Sequence, residues 1–208
     1  MNALSPEIQM RWLRLCDSVG LDGSEEWNLL EKGYCDPPRA YHNLNHISDC
    51  LDQLDQFVTP SPDQQALEFA IWYHDLIYDS KAADNETRSA TEAERFLVGL
   101  PMVSQVVGLI LATRHLASDL SEDCQRMVDI DLSILGRSEE IYDRYASAIR
   151  NEYNWVPHEA YIQGRSKVLR GFLDRASIYS TPAFQVLYED AARLNLQREL
   201  ENLSALSS

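Results

Sequence analysis

The most demanding pair of neighbours in the chain is His74-Asp75, set in the run Ala70-Ile71-Trp72-Tyr73-His74-Asp75-Leu76-Ile77-Tyr78. Residues three and four apart share a helix face, so Leu67, Ile71, His74, Asp75 and Tyr78 would line the side that enters a core. An imidazole and a carboxylate placed together on an apolar face are costly unless they pair with each other or bind a cation. Two chemistries meet that demand: a buried His–Asp hydrogen bond, or a metal site. A second acid poses the same problem. Helical spacing groups Cys124, Met127, Val128, Asp131 and Leu135 on one side. Asp131 is therefore expected among apolar neighbours, where it needs a cation or a cluster of donors, and Asp129 is expected in solvent. His46 flanks the stripe of Leu44, Ile47 and Leu51, from where it can reach a site between helices. His42, four residues earlier, reads either as a further site group or as a surface histidine.

The elements that must position these groups are helical almost throughout. Apolar residues at i, i+3 and i+4 predict helices over 6–18, through Trp27 to Leu30, and over 44–58, 63–78, 103–116, 124–135, 139–152, 157–177 and 182–200. One more runs through Ala90, Ala93 and Phe96, with Asp84 or Ser80 as its cap. Cys35-Asp36-Pro37-Pro38 and Thr59-Pro60-Ser61-Pro62 are breaks, and Gly136 suits a helix stop. No alternating strand pattern, repeat or low-complexity tract is present. The expected fold is all-α: a compact single-domain helical bundle over 1–208, with the site core at 39–136 and a helical extension at 139–200.

Composition narrows the partners. Apolar residues make up 45% and charged residues 25% of the 208, as in an ordinary globular protein. The net charge is −15, from 33 acidic and 18 basic residues. Such a surface repels phosphodiester backbones and anionic bilayers, so neither duplex nucleic acid nor a membrane is expected as a partner. A small anionic substrate stays compatible, because a site can be made locally positive. Cys16, Cys35, Cys50 and Cys124 form no CxxC pair and read as ordinary thiols of a reducing compartment. The first residues carry no basic segment or long apolar run, so no signal peptide is expected and the chain is read as cytoplasmic.

Four segments in order then carry a resemblance. They are Tyr-His-Asn-x-x-His-Ile at 41–47, aromatic-His-Asp-x-x-Tyr-Asp at 73–79, Asp-Asn-Glu-x-x-Ser-Ala at 84–90 and Asp-x-Asp-Leu-Ser-x-Leu-Gly at 129–136. The order His, His-Asp, Asp resembles the HD superfamily of metal-dependent phosphohydrolases, closest to a bacterial group of small HD phosphohydrolases. The likeness continues through 152–157 to 195–200, over most of the chain. It implies an HD-type bundle with His46, His74, Asp75 and Asp131 as ligands of one divalent transition metal. Imidazole with carboxylate suits Mn, Zn, Fe, Co or Ni better than Mg or Ca.

The activity so implied is hydrolysis of a nucleotide or another small phosphorylated metabolite by a metal-activated water. Asp75 and Glu86 would be the catalytic groups, Glu86 orienting the water or accepting a proton; Glu86 also reads as an acid that complements a helix start. Arg39, His42, Asn85 and Arg165 are the substrate-facing candidates, although each arginine by itself reads more readily as a surface charge. His115 would be needed for a second metal. Two alternatives are a non-catalytic, regulatory HD-fold binding module and a di-iron HD oxygenase, which would need His115 as a ligand. A homodimer through the C-terminal helices fits the pattern without being required by it.

Overall fold

Ala66, Leu67, Phe69, Ala70, Ile71, Trp72 and Tyr73 are each 0% exposed. A helix apolar on every side has to be covered on every side, and that requirement organises the first half of the chain. The computed structural model describes residues 5–57, 62–114 and 119–206. Among these it is all-α, with ten α-helices, one 3-10 turn and no strand. The helices are α1 (Ser5–Ser18), α2 (Ser24–Tyr34), α3 (Leu44–Phe57), α4 (Pro62–Tyr73), α5 (Asn85–Phe96), α6 (Val103–Ala112) and α7 (Glu122–Asp131). A 3-10 turn at Leu132–Gly136 follows, then α8 (Glu139–Glu152), α9 (His158–Leu173) and α10 (Pro182–Ala205). No helix among the described residues is long and apolar enough to cross a membrane.

The chain divides into two compact units, Met1–Met127 and Val128–Ser208, the boundary falling inside α7 and ahead of the extension expected at 139–200. In the first unit α4 packs against α3, α5 and α6. Trp12 of α1 closes the remaining side, edge-on to Trp72 at 5.5 Å and 70° and to Phe69 at 5.8 Å and 89°. Such tilted pairs align ring edges with ring faces and add to the area term. Polar atoms in this core are paired. The Trp12 Nε1–H donates to the Gly23 carbonyl at 2.9 Å. Glu26, 7% exposed, accepts from the Tyr73 hydroxyl at 2.8 Å and from Arg95 Nη2 at 2.8 Å, tying α2, α4 and α5 together. Burial, followed by the Glu26 charge, holds the Tyr73 phenol far above its ordinary range.

In the second unit α10 lies against α9 and the 3-10 turn. A Cβ on Gly136 would come within 2.5 Å of Tyr188 Cβ and 2.7 Å of the Tyr188 carbonyl oxygen, so this glycine serves the close approach of α10. Asn195 Nδ2 donates to the Leu135 and Arg137 carbonyls, both at 2.9 Å.

One of the two acids near the end of α7 is not where the sequence placed it. Asp129, read as solvated, is 0% exposed, while Asp131 is half-buried. Asp129 accepts hydrogen bonds from the Ser180 N–H at 2.8 Å and from the Thr181 N–H and hydroxyl, both at 2.7 Å. It thereby caps α10, whose Thr181 start is followed by Pro182 at the position that needs no N–H donor. Burial outweighs these bonds and lifts the Asp129 carboxyl above its usual range. The anticipated cap of α5 also differs: Asp84 occupies the position but makes no side-chain capping bond.

Replacing Asp129 with alanine should lower stability by about 2 kcal/mol, because two backbone donors lose their acceptor in a site with little water. Urea unfolding monitored by far-UV circular dichroism measures this. A loss below about 0.5 kcal/mol would mean that solvent replaces the carboxylate.

Candidate metal centre

α3 begins behind Asn43, whose side-chain oxygen accepts the Asn45 N–H at 2.9 Å while its amide donates to the Ala40 carbonyl at 3.0 Å. This is the N-cap role, in which a short side chain supplies the acceptor that the first turn lacks. His46 is thereby placed in the first turn, on the buried side with Ile47, Cys50, Leu51 and Leu54.

The second segment departs from expectation. The helix predicted over 63–78 ends at Tyr73, and His74-Asp75 forms a turn beyond it. A helix end leaves its last carbonyls unmatched, and this end lies in a core. The four carbonyls of the last helical turn, and two beyond it, have named donors. The Ala70 oxygen takes the His74 N–H at 2.9 Å and the Tyr73 oxygen takes the Leu76 N–H at 3.0 Å. The Ile71 oxygen takes His74 Nδ1 at 2.9 Å, and the Trp72 oxygen takes the Tyr34 hydroxyl at 2.9 Å. Arg39 covers the last two, with Nη1 on the Asp75 oxygen at 2.6 Å and Nη2 on the Leu76 oxygen at 2.7 Å. Gly33 makes room here, since a Cβ would meet Leu76 Cδ1 at 2.7 Å.

Three donor atoms of the first unit converge on one point. His46 Nε2 and His74 Nε2 lie 3.1 Å apart. Asp75 Oδ2 is 3.2 Å from His74 Nε2 and 3.6 Å from His46 Nε2. Metal–ligand bonds of about 2.1 Å separate neighbouring donors by about 3.0 Å at right angles and about 3.4 Å in a tetrahedron. Two of the observed spacings, 3.1 and 3.2 Å, fall in that range and the third, 3.6 Å, lies just above it, so the residues present suit a metal ion. A carbonyl only accepts, so the bond to Ile71 requires the proton of a neutral His74 ring to sit on Nδ1. The Nε2 lone pair is then left facing His46 and Asp75, the arrangement by which outer partners orient metal-binding imidazoles. Both histidines are buried, at 3% and 1% exposure. Both histidines belong to a group of described residues that could hold a metal ion.

The remaining candidates are distributed as follows. His42 is half-buried and stacks on Tyr78 with ring centroids 4.0 Å apart and planes at 25°. Arg39, read as a phosphate-facing arm, has both terminal nitrogens engaged on carbonyls. Asn85 spends its side chain on the Asp79 backbone, accepting its N–H at 3.1 Å and donating to its carbonyl at 3.0 Å. Glu86 lies in the first turn of α5 with Arg114 Nε at 3.8 Å. Arg165 belongs to the second unit, 9% exposed, with Nε and Nη2 on the Glu199 carboxylate at 2.8 and 2.9 Å, the geometry of a structural ion pair. Asp131 ends α7 in the second unit. His115, the second-metal candidate, lies outside the described residues.

Two contributors were not read as site residues in the sequence. Tyr34 holds the Trp72 carbonyl, and burial followed by the Asp75 charge pushes its phenol up. Cys50 places its Sγ 3.8 Å from His46 Nδ1, one helical turn on. The i, i+4 spacing from His46 was the available signal for Cys50; nothing local marked Tyr34. No family model, curated protein or solved structure matches the chain.

The Tyr34→Phe variant keeps the ring and removes only the donor to Trp72. It should cost about 1–2 kcal/mol in denaturant unfolding, the penalty of a buried carbonyl left alone. An unchanged midpoint would show that this carbonyl finds another donor.

Proposed function

We propose that the chain is a metal-dependent phosphohydrolase of the HD type, acting on a nucleotide or another small phosphorylated metabolite. The observation that carries this reading is the convergence of His46 Nε2, His74 Nε2 and Asp75 Oδ2 within 3.1–3.6 Å in a buried place. Asp131 is the fourth ligand in this proposal, on the order of the motifs in the sequence. Two imidazoles with carboxylates favour Mn, Zn, Fe, Co or Ni, one ion per chain. When bound, such an ion would acidify a water ligand and polarise a phosphoryl oxygen.

The protein's own groups do the rest. His74, held by its bond to Ile71, keeps its other nitrogen turned to the site. Asp75 supplies the negative charge that holds a cation there. Glu86 is the group proposed to orient the attacking water or take its proton, and His42 is the proposed contact to the phosphate. Arg39 and Arg165 are withdrawn from that task, since carbonyls and Glu199 engage their guanidinium groups. The net charge of −15 supports a small substrate over a duplex. Free thiols at Cys16, Cys35, Cys50 and Cys124 accord with a reducing, cytoplasmic setting.

Elemental mass spectrometry of the purified protein tests the reading first. About one transition metal per chain is expected in the wild type. Asp75→Ala should lose the ion, and its release of phosphate from a panel of phosphorylated metabolites should fall by more than the roughly 10- to 100-fold that an outer partner of a metal ligand costs. No metal after reconstitution with Mn²⁺ would sink the proposal, and two irons per chain would replace it with the oxidative chemistry of a di-iron site.

A further inference from the structure

The donors that converge beside α4 do not hold themselves in place. His46 comes from the first turn of α3, whereas His74 and Asp75 sit on a turn that has already left its helix. A turn has no hydrogen-bond ladder of its own, so the direction of the Asp75 side chain depends on what fixes the adjoining peptide groups.

We infer that Arg39 is the positioning residue of this centre: its guanidinium locks the His74-Asp75 turn against the segment that leads into α3. The inference rests on the metal-site reading above. Nη1 alone bridges the two sides, donating to the Asp75 carbonyl at 2.6 Å and to the His42 carbonyl at 3.2 Å. Nη2 takes the next carbonyl, Leu76, at 2.7 Å. With Asp75 and Leu76 oxygens both gripped, the peptide that follows Asp75 cannot rotate without breaking a charge-assisted bond.

The fork is in turn held by rings. Its carbon lies 5.3 Å from the centroid of Tyr34 and 5.7 Å from that of Tyr78. Tyr34 also binds the Trp72 carbonyl, and Tyr78 stacks on His42. Arg39 thus sits where the capping of α4, the lead into α3 and the aromatic pair beside His46 meet. A planar fork with several fixed donors can serve three carbonyls at once. An ammonium group on a flexible stem presents a single point and cannot hold the same three.

Titration calorimetry with Mn²⁺ on the full chain tests this, with metal-free urea unfolding run on the same variants. Arg39→Lys and Arg39→Gln should weaken Mn²⁺ binding by about 10- to 100-fold, the range for outer partners of metal ligands. Arg11→Gln is the control. It removes a guanidinium with three side-chain bonds, to Glu68 and Asp55, away from the centre, and should change Mn²⁺ affinity by less than about twofold. Should Arg39→Gln fail to fold, Arg39→Lys carries the comparison. Wild-type affinity in Arg39→Lys together with reduced metal-free stability would overturn the inference, leaving Arg39 a structural clamp. Absence of Mn²⁺ binding in the wild type itself would instead remove the metal-site reading, and the inference with it.

Discussion

A buried helix has to end somewhere, and α4 ends inside a core. Each carbonyl at that terminus would cost about 1–3 kcal/mol if left without a donor. Local chain geometry covers two of them, through the His74 and Leu76 N–H groups. The others need side chains brought from elsewhere: the Tyr34 hydroxyl, the His74 imidazole and the Arg39 guanidinium. Satisfying the backbone therefore dictates which residues surround His74 and Asp75. The same bonds that finish α4 orient the imidazole and immobilise the turn that carries the carboxylate. Stability and site geometry are here one set of interactions.

That coupling also sharpens what the two histidines can do. With the His74 proton committed to the Ile71 carbonyl, its Nε2 offers only a lone pair while the ring is neutral. His46 Nε2 faces it at 3.1 Å. Two lone pairs at that distance repel, so either His46 donates a proton into the gap or a cation occupies it. Asp75, whose Oδ2 is within 3.6 Å of both nitrogens, supplies charge that favours the cation.

Much of this was legible in the sequence, and the failures have physical causes. The stripe of α3 predicted which of its sides is buried, because one amphipathic face reports directly on burial. The all-α class followed from the same period. Asp129 was misplaced because spacing arguments assume a single buried face, whereas Met127, Val128, Asp129 and Ile130 are buried in succession at the end of α7. The donors that make burial of Asp129 tolerable, at Ser180 and Thr181, lie some fifty positions away and are mostly backbone, so no local pattern announces them. The end of α4 was placed too late for a related reason: Leu76, Ile77 and Tyr78 continue the apolar period, but the turn bond from Leu76 to Tyr73 breaks the ladder. Arg39 looked like a free arm because its partners are carbonyls, which every residue carries and no sequence displays.

The distribution of arginines bears on how an acidic protein would meet a phosphate. Arg11 is spent on Asp55 and Glu68, Arg95 on Glu26 and Glu92, and Arg165 on Glu199. Arg39 is surrounded by carbonyl oxygens, which absorb its charge through their dipoles. Asp75 adds a full negative charge beside them. Such a site on its own would repel a phosphoryl group, since burial strengthens like-charge repulsion as much as attraction. Under the proposed function, positive potential at the centre would come from an ion held by His46, His74 and Asp75 rather than from basic side chains. On that proposal, the same electrostatics would make substrate binding conditional on metal binding. A protein of the proposed kind would need the ion first, for recognition as well as for catalysis, and the inferred role of Arg39 lies upstream of both, in shaping the place where the ion would sit.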